Sequence, residues 1–148
     1  IAMIMANLGT NHADPVDRLE DIRQSMQAGK QRFSQMTHAE IQAYTILSSL
    51  PGTLNLGLGL APERQMYNLV ISNVPGPRNP LYWNGARMEG MYPVSIVTDG
   101  QAVNITVTSY VDSLDFGITA CRRSLPSIQR MLDYLEDGLK ELEKEAGL

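Results

Sequence analysis

Apolar residues along the chain follow a helical period in some stretches and a strand period in others. Ile1 to Leu8 forms a nearly continuous apolar run, which is typical of a buried strand. Apolar residues then recur every three or four positions to about residue 36. Asp14 followed by Pro15 marks a helix start, because aspartate caps free backbone N–H groups and proline fits the first helical position. We predict a strand and then a helix of about six turns whose apolar stripe lies on a sheet, with Gly29 as a point of bending.

A second helix is predicted from Thr37 and Glu40, which match the S/T-x-x-E capping box, and it should end at Pro51-Gly52. We expect its apolar residues to face inward: Ile41, Tyr44, Leu47 and Leu50. The next stretch, Thr53 to Leu60, alternates leucine with small or polar residues. It is either a packed connection, the interpretation that we favour, or a wall that lets a ligand approach the backbone closely. The candidate binding residues of this wall are Asn55, Gly57, Leu58, Gly59 and Leu60.

The continuous apolar run of Leu69, Val70 and Ile71 predicts a strand covered on both faces, at the centre of a sheet. Ser72 and Asn73 follow at its tip. Val74 to Pro77 then forms a rigid turn in which Gly76 is free to take positive φ. Polar side chains at a strand tip are held rigidly and can donate to a developing oxyanion, although they can equally cap the turn.

The last half of the chain reads as strands followed by a helix. Asn84-Gly85 predicts a type I′ hairpin, and further strands are expected at Val94 to Val97, at Ala102 to Tyr110 with one drier and one wetter face, and over residues 114–120. Asp99-Gly100 should form the turn before the second of these strands, and a final helix should begin near Leu125. The fold class is therefore α/β, in the α+β range, with a mixed, largely antiparallel sheet and helices packed on it.

Composition narrows the function classes. A chain of 148 residues is most simply one domain, and its net charge of −4 disfavours a nucleic-acid partner. Apolar runs are all shorter than the ~18 residues of a membrane span. A single cysteine, Cys121, and the absence of a recognisable secretory signal favour a reducing cytoplasmic compartment.

Standard catalytic and metal motifs are missing from the sequence. It has no phosphate loop, no CxxC pair and no closely spaced histidines, so we expect no metal site. His12 and His38 are interpreted as loop and first-turn surface residues, because neither has a carboxylate or nucleophile pattern beside it. Cys121 precedes two arginines that could lower the pKa of its thiol, but a half-buried residue at a strand end is the more economical interpretation.

Three stretches together carry a resemblance: SNVPGP, YWNGARMEGMYPVS and VNITVTSYVDSLDFGITACRRSLPSIQRM. They are similar to the C-terminal domain of the bacterial wax ester synthase/diacylglycerol acyltransferase family, over about Asn7 to Leu142. This family belongs to the chloramphenicol acetyltransferase-like, coenzyme A-dependent acyltransferases, which consist of two similar α/β halves with a channel between them. The resemblance implies that residues 1–148 are the C-terminal domain of such a two-domain enzyme.

The resemblance also implies a reaction, namely transfer of a fatty acyl group from acyl-coenzyme A to a long-chain alcohol or diacylglycerol. The family signature HHxxxDG, whose second histidine is the base, does not occur here. The N-terminal half of the enzyme is therefore the expected partner, and the start at Ile1 is interpreted as cut. We expect no bound cofactor, acyl-coenzyme A as a substrate, and a cytoplasmic location, either free or peripheral at a membrane or lipid droplet. This chain alone should be inactive.

For the residues, the resemblance makes Ser72 and Asn73 candidates for polar groups facing the channel, since related enzymes place a serine or threonine of such a motif near the thioester oxygen. The strip from Gly57 to Leu60 becomes a wall for the acyl or alcohol tail. Asp115-Phe116-Gly117 resembles the DFG of plant relatives, where its role is structural, but here the following WG is missing. The alternatives are a non-catalytic acyl-chain or lipid-binding module and a structural partner domain.

Overall fold

The computed structural model describes residues 3–59, 67–98 and 101–148. In these ranges it contains the helices α1 (Pro15–Ser34), α2 (His38–Gly57) and α3 (Arg130–Ala146), and the strands β1 (Leu69–Val74), β2 (Tyr82–Trp83), β3 (Ala86–Arg87), β4 (Val103–Tyr110) and β5 (Ser113–Ala120). Residue contacts divide the chain into two compact units, Ile1–Leu60 with Gln129–Leu148, and Ala61–Ile128. The helices belong to the first unit and the strands to the second, so the packing of helices on the sheet stays a prediction.

Helix α1 begins as its sequence predicts. Asp14 Oδ1 accepts hydrogen bonds from the backbone N–H groups of Val16 at 2.8 Å and Asp17 at 3.2 Å, and Pro15 is the first helical residue. Gly29 has a different role from the bending that we predicted. A Cβ on Gly29 would overlap Ile4 Cγ2, so the missing side chain lets the N-terminal segment lie against the helix.

The predicted N-terminal strand is wrong for residues 3–8, which have no regular secondary structure; Ile1 and Ala2 lie outside the described residues. The backbone N–H of Asn7 donates to Ser25 Oγ at 2.9 Å, and the Asn7 amide donates to Asp21 Oδ2 at 3.2 Å. An apolar run becomes a strand only when another strand pairs with its backbone. In the described part of the chain this segment is attached to α1 instead.

Helix α2 has the predicted capping box. Thr37 N–H donates to Glu40 Oε2 at 2.7 Å, and Glu40 N–H donates back to Thr37 Oγ1 at 3.3 Å. The predicted end at Pro51-Gly52 is wrong, because the helix continues through both residues to Gly57. A proline removes only one donor from the helix, and the hydroxyl of Thr53 donates to the Ser49 carbonyl at 3.0 Å within this stretch.

The apolar face of α2 is less covered than predicted. Ile41 is half-buried, whereas Tyr44, Leu47 and Leu50 are exposed. Tyr44 of this face contacts α1: the rings of Phe33 and Tyr44 meet edge to face, with centroids 5.8 Å apart.

Helix α3 begins five residues later than the predicted Leu125. Leu125 precedes Pro126, and a residue before proline is disfavoured in the helical conformation. Its N–H donates instead to the Cys121 carbonyl at 2.9 Å, within a turn that follows β5. The predicted pair across one turn is confirmed, with Lys140 Nζ 2.7 Å from Glu136 Oε1. Helix α3 packs against α1.

The sheet of the second unit is mixed, and the α/β fold class is confirmed. Its order is β1-β4-β5, with β1 parallel to β4 and β4 antiparallel to β5. The expectation that β1 is the central strand is wrong: in the described part of the chain β4 is central and β1 is at the edge. A continuous apolar run does not identify the central strand here, because β4 carries alternating polar residues and is nevertheless buried on both faces.

The predicted wetter face of β4 is buried. Asn104, Thr106 and Thr108 are each less than a tenth exposed. The segment after β3 covers this face at one end: Tyr110 Oη donates to the Met88 carbonyl at 2.9 Å, and Met91 N–H donates to Asp115 Oδ2 at 3.0 Å. The polar side of the strand is therefore an internal layer and not a solvent face.

The hairpin of β2 and β3 is confirmed, with φ of 47° at Asn84 and 83° at Gly85, as a type I′ turn requires. The predicted strand from Val94 to Val97 is not formed, since these residues are not paired with any described strand. The predicted turn at Asp99-Gly100 lies outside the described residues, although Gln101 N–H donates to the Thr98 carbonyl across it at 3.0 Å.

Candidate functional site

Ser72 and Asn73 lie inside β1, before its last residue Val74, and not beyond its tip. Successive residues of a strand point to opposite faces of the sheet. From the sequence we expected both side chains to face the same channel. Because they point to opposite faces of the sheet, they cannot both do so.

Ser72 lies on the polar, internal face. It pairs with Thr106 of β4, which in turn pairs with Gly117 of β5, so these three residues share one face. Ser72 is half-buried, and Thr106 Oγ1 donates to Asn104 Oδ1 at 3.2 Å on the same face. This row of hydroxyl and amide groups belongs to the interior of the second unit.

Asn73 is the polar residue of β1 on the opposite, apolar face. It pairs with Val107, which pairs with Phe116 of β5, and Ile71 is its neighbour on β1. Asn73, Ile71 and Phe116 are all exposed. An amide on an apolar face can donate a hydrogen bond to a ligand that covers this face, and the bond strengthens when the ligand excludes water.

The turn after β1 is attached firmly to β4. Gly76 N–H donates to Ser109 Oγ at 3.1 Å, and the Pro77 carbonyl accepts from Val111 N–H at 2.9 Å. Gly76 does not have positive φ, contrary to our expectation. Glycine is needed because a Cβ at this position would overlap the Ser109 carbonyl. These contacts fix the end of β1 and hence the position of Asn73.

Asp115 and Gly117 are used by the fold, as the resemblance implied. The Asp115 carboxylate accepts the Met91 N–H, and Gly117 leaves room for the Pro93 carbonyl. The two residues share a face of β5 with Thr108 and Thr106, their partners on β4. The pair holds the segment around Met91 and Pro93 on the internal face.

The second candidate group, in the first unit, forms the end of α2 and not a separate connection. Asn55 and Gly57 are helical, and Leu58 N–H donates to the Leu54 carbonyl at 3.0 Å; Leu60 lies outside the described residues. Gly59 ends the helix with φ of 68°. Among the described residues, a Cβ on Gly57 or Gly59 would contact nothing within 4 Å. No described side chain therefore crowds these glycines, and Leu58 between them is exposed.

One histidine has a neighbour that the sequence did not reveal. His12 Nε2 lies 3.6 Å from Asp21 Oδ2, which also accepts from Asn7. The His12 carbonyl accepts from the Arg18 guanidinium at 2.9 Å, so the loop is bound to α1 on two sides. The sequence did hold one signal for these contacts: Arg18 and Asp21 lie one helical turn apart, so both can reach the same loop. His38 is exposed, as expected, with Nε2 3.3 Å from the amide of Gln42.

Cys121 is half-buried at the end of β5. The backbone N–H and then the hydroxyl of Ser124 lower the pKa of the Cys121 thiol, with a smaller contribution from the Arg123 N–H. Among the described residues, no group of three or more His, Cys, Asp or Glu side chains could hold a metal ion. No helix in the same ranges is long and apolar enough to cross a membrane.

Comparison with known proteins assigns this mixed α/β chain to a family of C-terminal domains. The family described as WS/DGAT C-terminal domain matches residues 1–143, and the chain belongs to this family. It is 54% identical over 143 residues to the O-acyltransferase WSD of Acinetobacter baylyi, with 97% of this chain and 31% of that protein covered. It is 51% identical over 149 residues to a putative diacylglycerol O-acyltransferase of Mycobacterium tuberculosis, with 100% of this chain and 33% of that protein covered.

A solved structure gives the same assignment. The wax ester synthase/diacylglycerol acyltransferase from Marinobacter aquaeolei is similar with a TM-score of 0.90 and 55% identity, covering 98% of this chain and 35% of that one. The chain spans about a third of the length of the curated relatives that it matches.

Proposed function

We propose that this chain is the C-terminal domain of a two-domain O-acyltransferase that transfers a fatty acyl group from acyl-coenzyme A to a long-chain alcohol or diacylglycerol. Membership of the WS/DGAT C-terminal domain family carries the proposal, and relatives named for both activities support it. The N-terminal domain is the partner and supplies the histidine base. Acyl-coenzyme A is a substrate of the reaction, and the reaction uses no bound cofactor.

In the proposed reaction the base takes the proton of the acceptor hydroxyl, whose oxygen attacks the thioester carbonyl. A carbon–oxygen bond forms, the carbon–sulfur bond breaks, and the proton passes to the coenzyme A thiolate. Negative charge develops on the carbonyl oxygen at the transition state. A hydrogen-bond donor aimed at that oxygen accelerates the step.

Asn73 is the proposed donor on this wall of the channel. Asn73 is exposed, lies on the same face as Ile71 and pairs with Val107, which supports contact with an acyl thioester on an apolar surface. Ser72 faces the internal side with Thr106, and its proposed role is to stabilise the strand.

The end of α2 is proposed as a wall for the acyl or alcohol tail, through Asn55, Gly57, Leu58, Gly59 and Leu60. Exposed Leu54 and Leu58 support this proposal, together with Gly57 and Gly59, which no described side chain crowds.

The test is acyl transfer from palmitoyl-coenzyme A to hexadecanol and to a diacylglycerol, by this chain alone, by the upstream domain alone and by both together. Activity only in the mixture supports the proposal. Saturable binding of acyl-coenzyme A without transfer in the mixture would favour the lipid-binding module. Activity of this chain alone would overturn the assignment of the base to the other domain.

A further inference from the structure

Exposure alternates along residues 92–97 and leaves one row of large apolar side chains open. Tyr92, Val94 and Ile96 are 78%, 90% and 74% exposed, whereas Pro93, Ser95 and Val97 between them are half-buried. The period of two is that of a strand. A surface strand normally turns its large apolar side chains inward, but here Tyr92, Val94 and Ile96 point outward, while the inward positions hold Pro93, Ser95 and Val97.

The inner side of this segment contacts β5. Met91 N–H donates to Asp115, and the Pro93 carbonyl lies against Gly117, so the segment rests on the internal face of β5. These contacts fix which side chains point outward. Tyr92, Val94 and Ile96 therefore form an exposed surface whose orientation is fixed by these contacts. We call this surface the outer row.

The backbone of the segment is also available. Between residues that the structure describes, residues 92–97 make no backbone hydrogen bond to other backbone groups. A segment with strand alternation and open backbone groups is a template for an added strand. The main chain of the segment would supply hydrogen bonds to the added strand, and the outer row would supply an apolar contact.

We propose that residues 92–97 form an interdomain strand site, in which an extended apolar segment of the upstream domain pairs with this backbone and covers the outer row. This inference rests on the proposed two-domain enzyme. The occupant is the upstream domain because relatives of this chain are about three times its length, so that most of such an enzyme lies outside the chain. The outer row is uncharged, and it fits an apolar strand better than a charged surface.

The test is hydrogen–deuterium exchange of this chain alone and in complex with the upstream domain. We expect the backbone amides of Tyr92 and residues 94–97 to exchange at least about tenfold more slowly in the complex; Pro93 has no exchangeable N–H. Val94→Asp should weaken the association of the domains by about tenfold or more, whereas Val94→Ile should preserve it. Because Val94 is 90% exposed, its substitution leaves the fold of this chain intact, which circular dichroism verifies. The control is Leu132→Asp, which places the same charge at an exposed leucine of α3 and should leave the association unchanged.

The outcomes separate the two proposals. An active complex in which residues 92–97 exchange as fast as in the free chain would overturn the strand site and leave the proposed function standing. A protected segment in a complex without acyl transfer would support the strand site and not the function. Protection that grows with the concentration of this chain alone would identify a second copy as the occupant, and protection only by phosphatidylcholine vesicles would identify a lipid surface. Either result would overturn the inference.

Discussion

Gly117 and Pro93 lie in direct contact, with the Pro93 carbonyl where a side chain at position 117 would begin. This contact and the hydrogen bond from Met91 to Asp115 attach the segment before β4 to the internal face of β5. The DFG resemblance thus has a physical basis in this chain: the aspartate accepts a backbone N–H, and the glycine admits a backbone carbonyl.

Gly117→Ala should therefore destabilise the second unit. The added methyl must displace the Pro93 carbonyl, and overpacking of this kind costs about 1–3 kcal/mol of unfolding free energy. Urea denaturation measures the loss. The matched control is Gly138→Ala in α3, where a Cβ would contact nothing within 4 Å and alanine should stabilise the helix by about 0.5–1 kcal/mol. Equal effects of the two substitutions would contradict the proposed role of Gly117.

The role proposed for Asn73 predicts that Asn73→Ala reduces turnover of the enzyme assembled with its N-terminal domain by about a hundredfold, since removing one oxyanion donor costs about 3 kcal/mol of barrier. Ser72→Ala should leave kcat near that of the wild type, because Ser72 faces the internal side of the sheet. Steady-state kinetics with palmitoyl-coenzyme A and hexadecanol measures both, and denaturation of the variants controls for stability. Wild-type turnover of Asn73→Ala would remove it from the site, and a large loss in Ser72→Ala alone would reverse the assignment of faces.

Glu20 should titrate well below the ordinary pKa of a glutamate. Its carboxylate accepts two hydrogen bonds from the Arg23 guanidinium, at 2.8 and 3.0 Å, and one from Gln24, and these lower its pKa from 4.5 to about 2. Because the folded-state pKa is depressed, the stabilising contribution of Glu20 is present above the ordinary value and is lost as pH falls toward about 2. Carbon-13 NMR titration of the Glu20 carboxyl measures this directly, and Arg23→Gln should return the midpoint toward the ordinary value. A wild-type midpoint near 4.5 would contradict the prediction.

The Cys121 thiol should ionise below its ordinary pKa of 9.0, because the N–H and hydroxyl of Ser124 stabilise the thiolate. The pH dependence of alkylation by iodoacetamide gives the midpoint. Ser124→Ala removes the hydroxyl but keeps the backbone N–H, so the midpoint should rise only part of the way. A variant indistinguishable from the wild type would show that the hydroxyl contributes nothing.

Local sequence signals predicted the starts of α1 and α2, although not that of α3. Asp14 with Pro15, and Thr37 with Glu40, fix their helices through hydrogen bonds within one turn, so no distant residue is needed. Pro51 is the counterexample, because a proline that ends an isolated helix is tolerated inside α2. The hairpin at Asn84-Gly85 was equally local, since its turn demands two residues with positive φ.

Features that depend on distant partners could not be predicted. In the described part of the chain β1 lies at the edge of the sheet because it pairs with β4 alone. Asn104 and Thr106 are buried although they lie on the polar face of β4, and the segment after β3 lies against one end of that face. That Ser72 and Asn73 point to opposite faces could have been predicted from the sequence, once both residues were assigned to the strand. The contact of His12 with Asp21 required the path of the loop over α1.

The pairing of β1 with β4 also bears on how the second unit folds. β4 and β5 are joined by a tight turn at Val111 and Asp112, so their antiparallel pairing closes a very short loop. The parallel pairing of β1 with β4 must instead close the whole connection from Val74 to Val103, which costs more chain entropy before any contact compensates it. The β4–β5 hairpin should form early, and the strand that carries Asn73 should be the last to join the sheet.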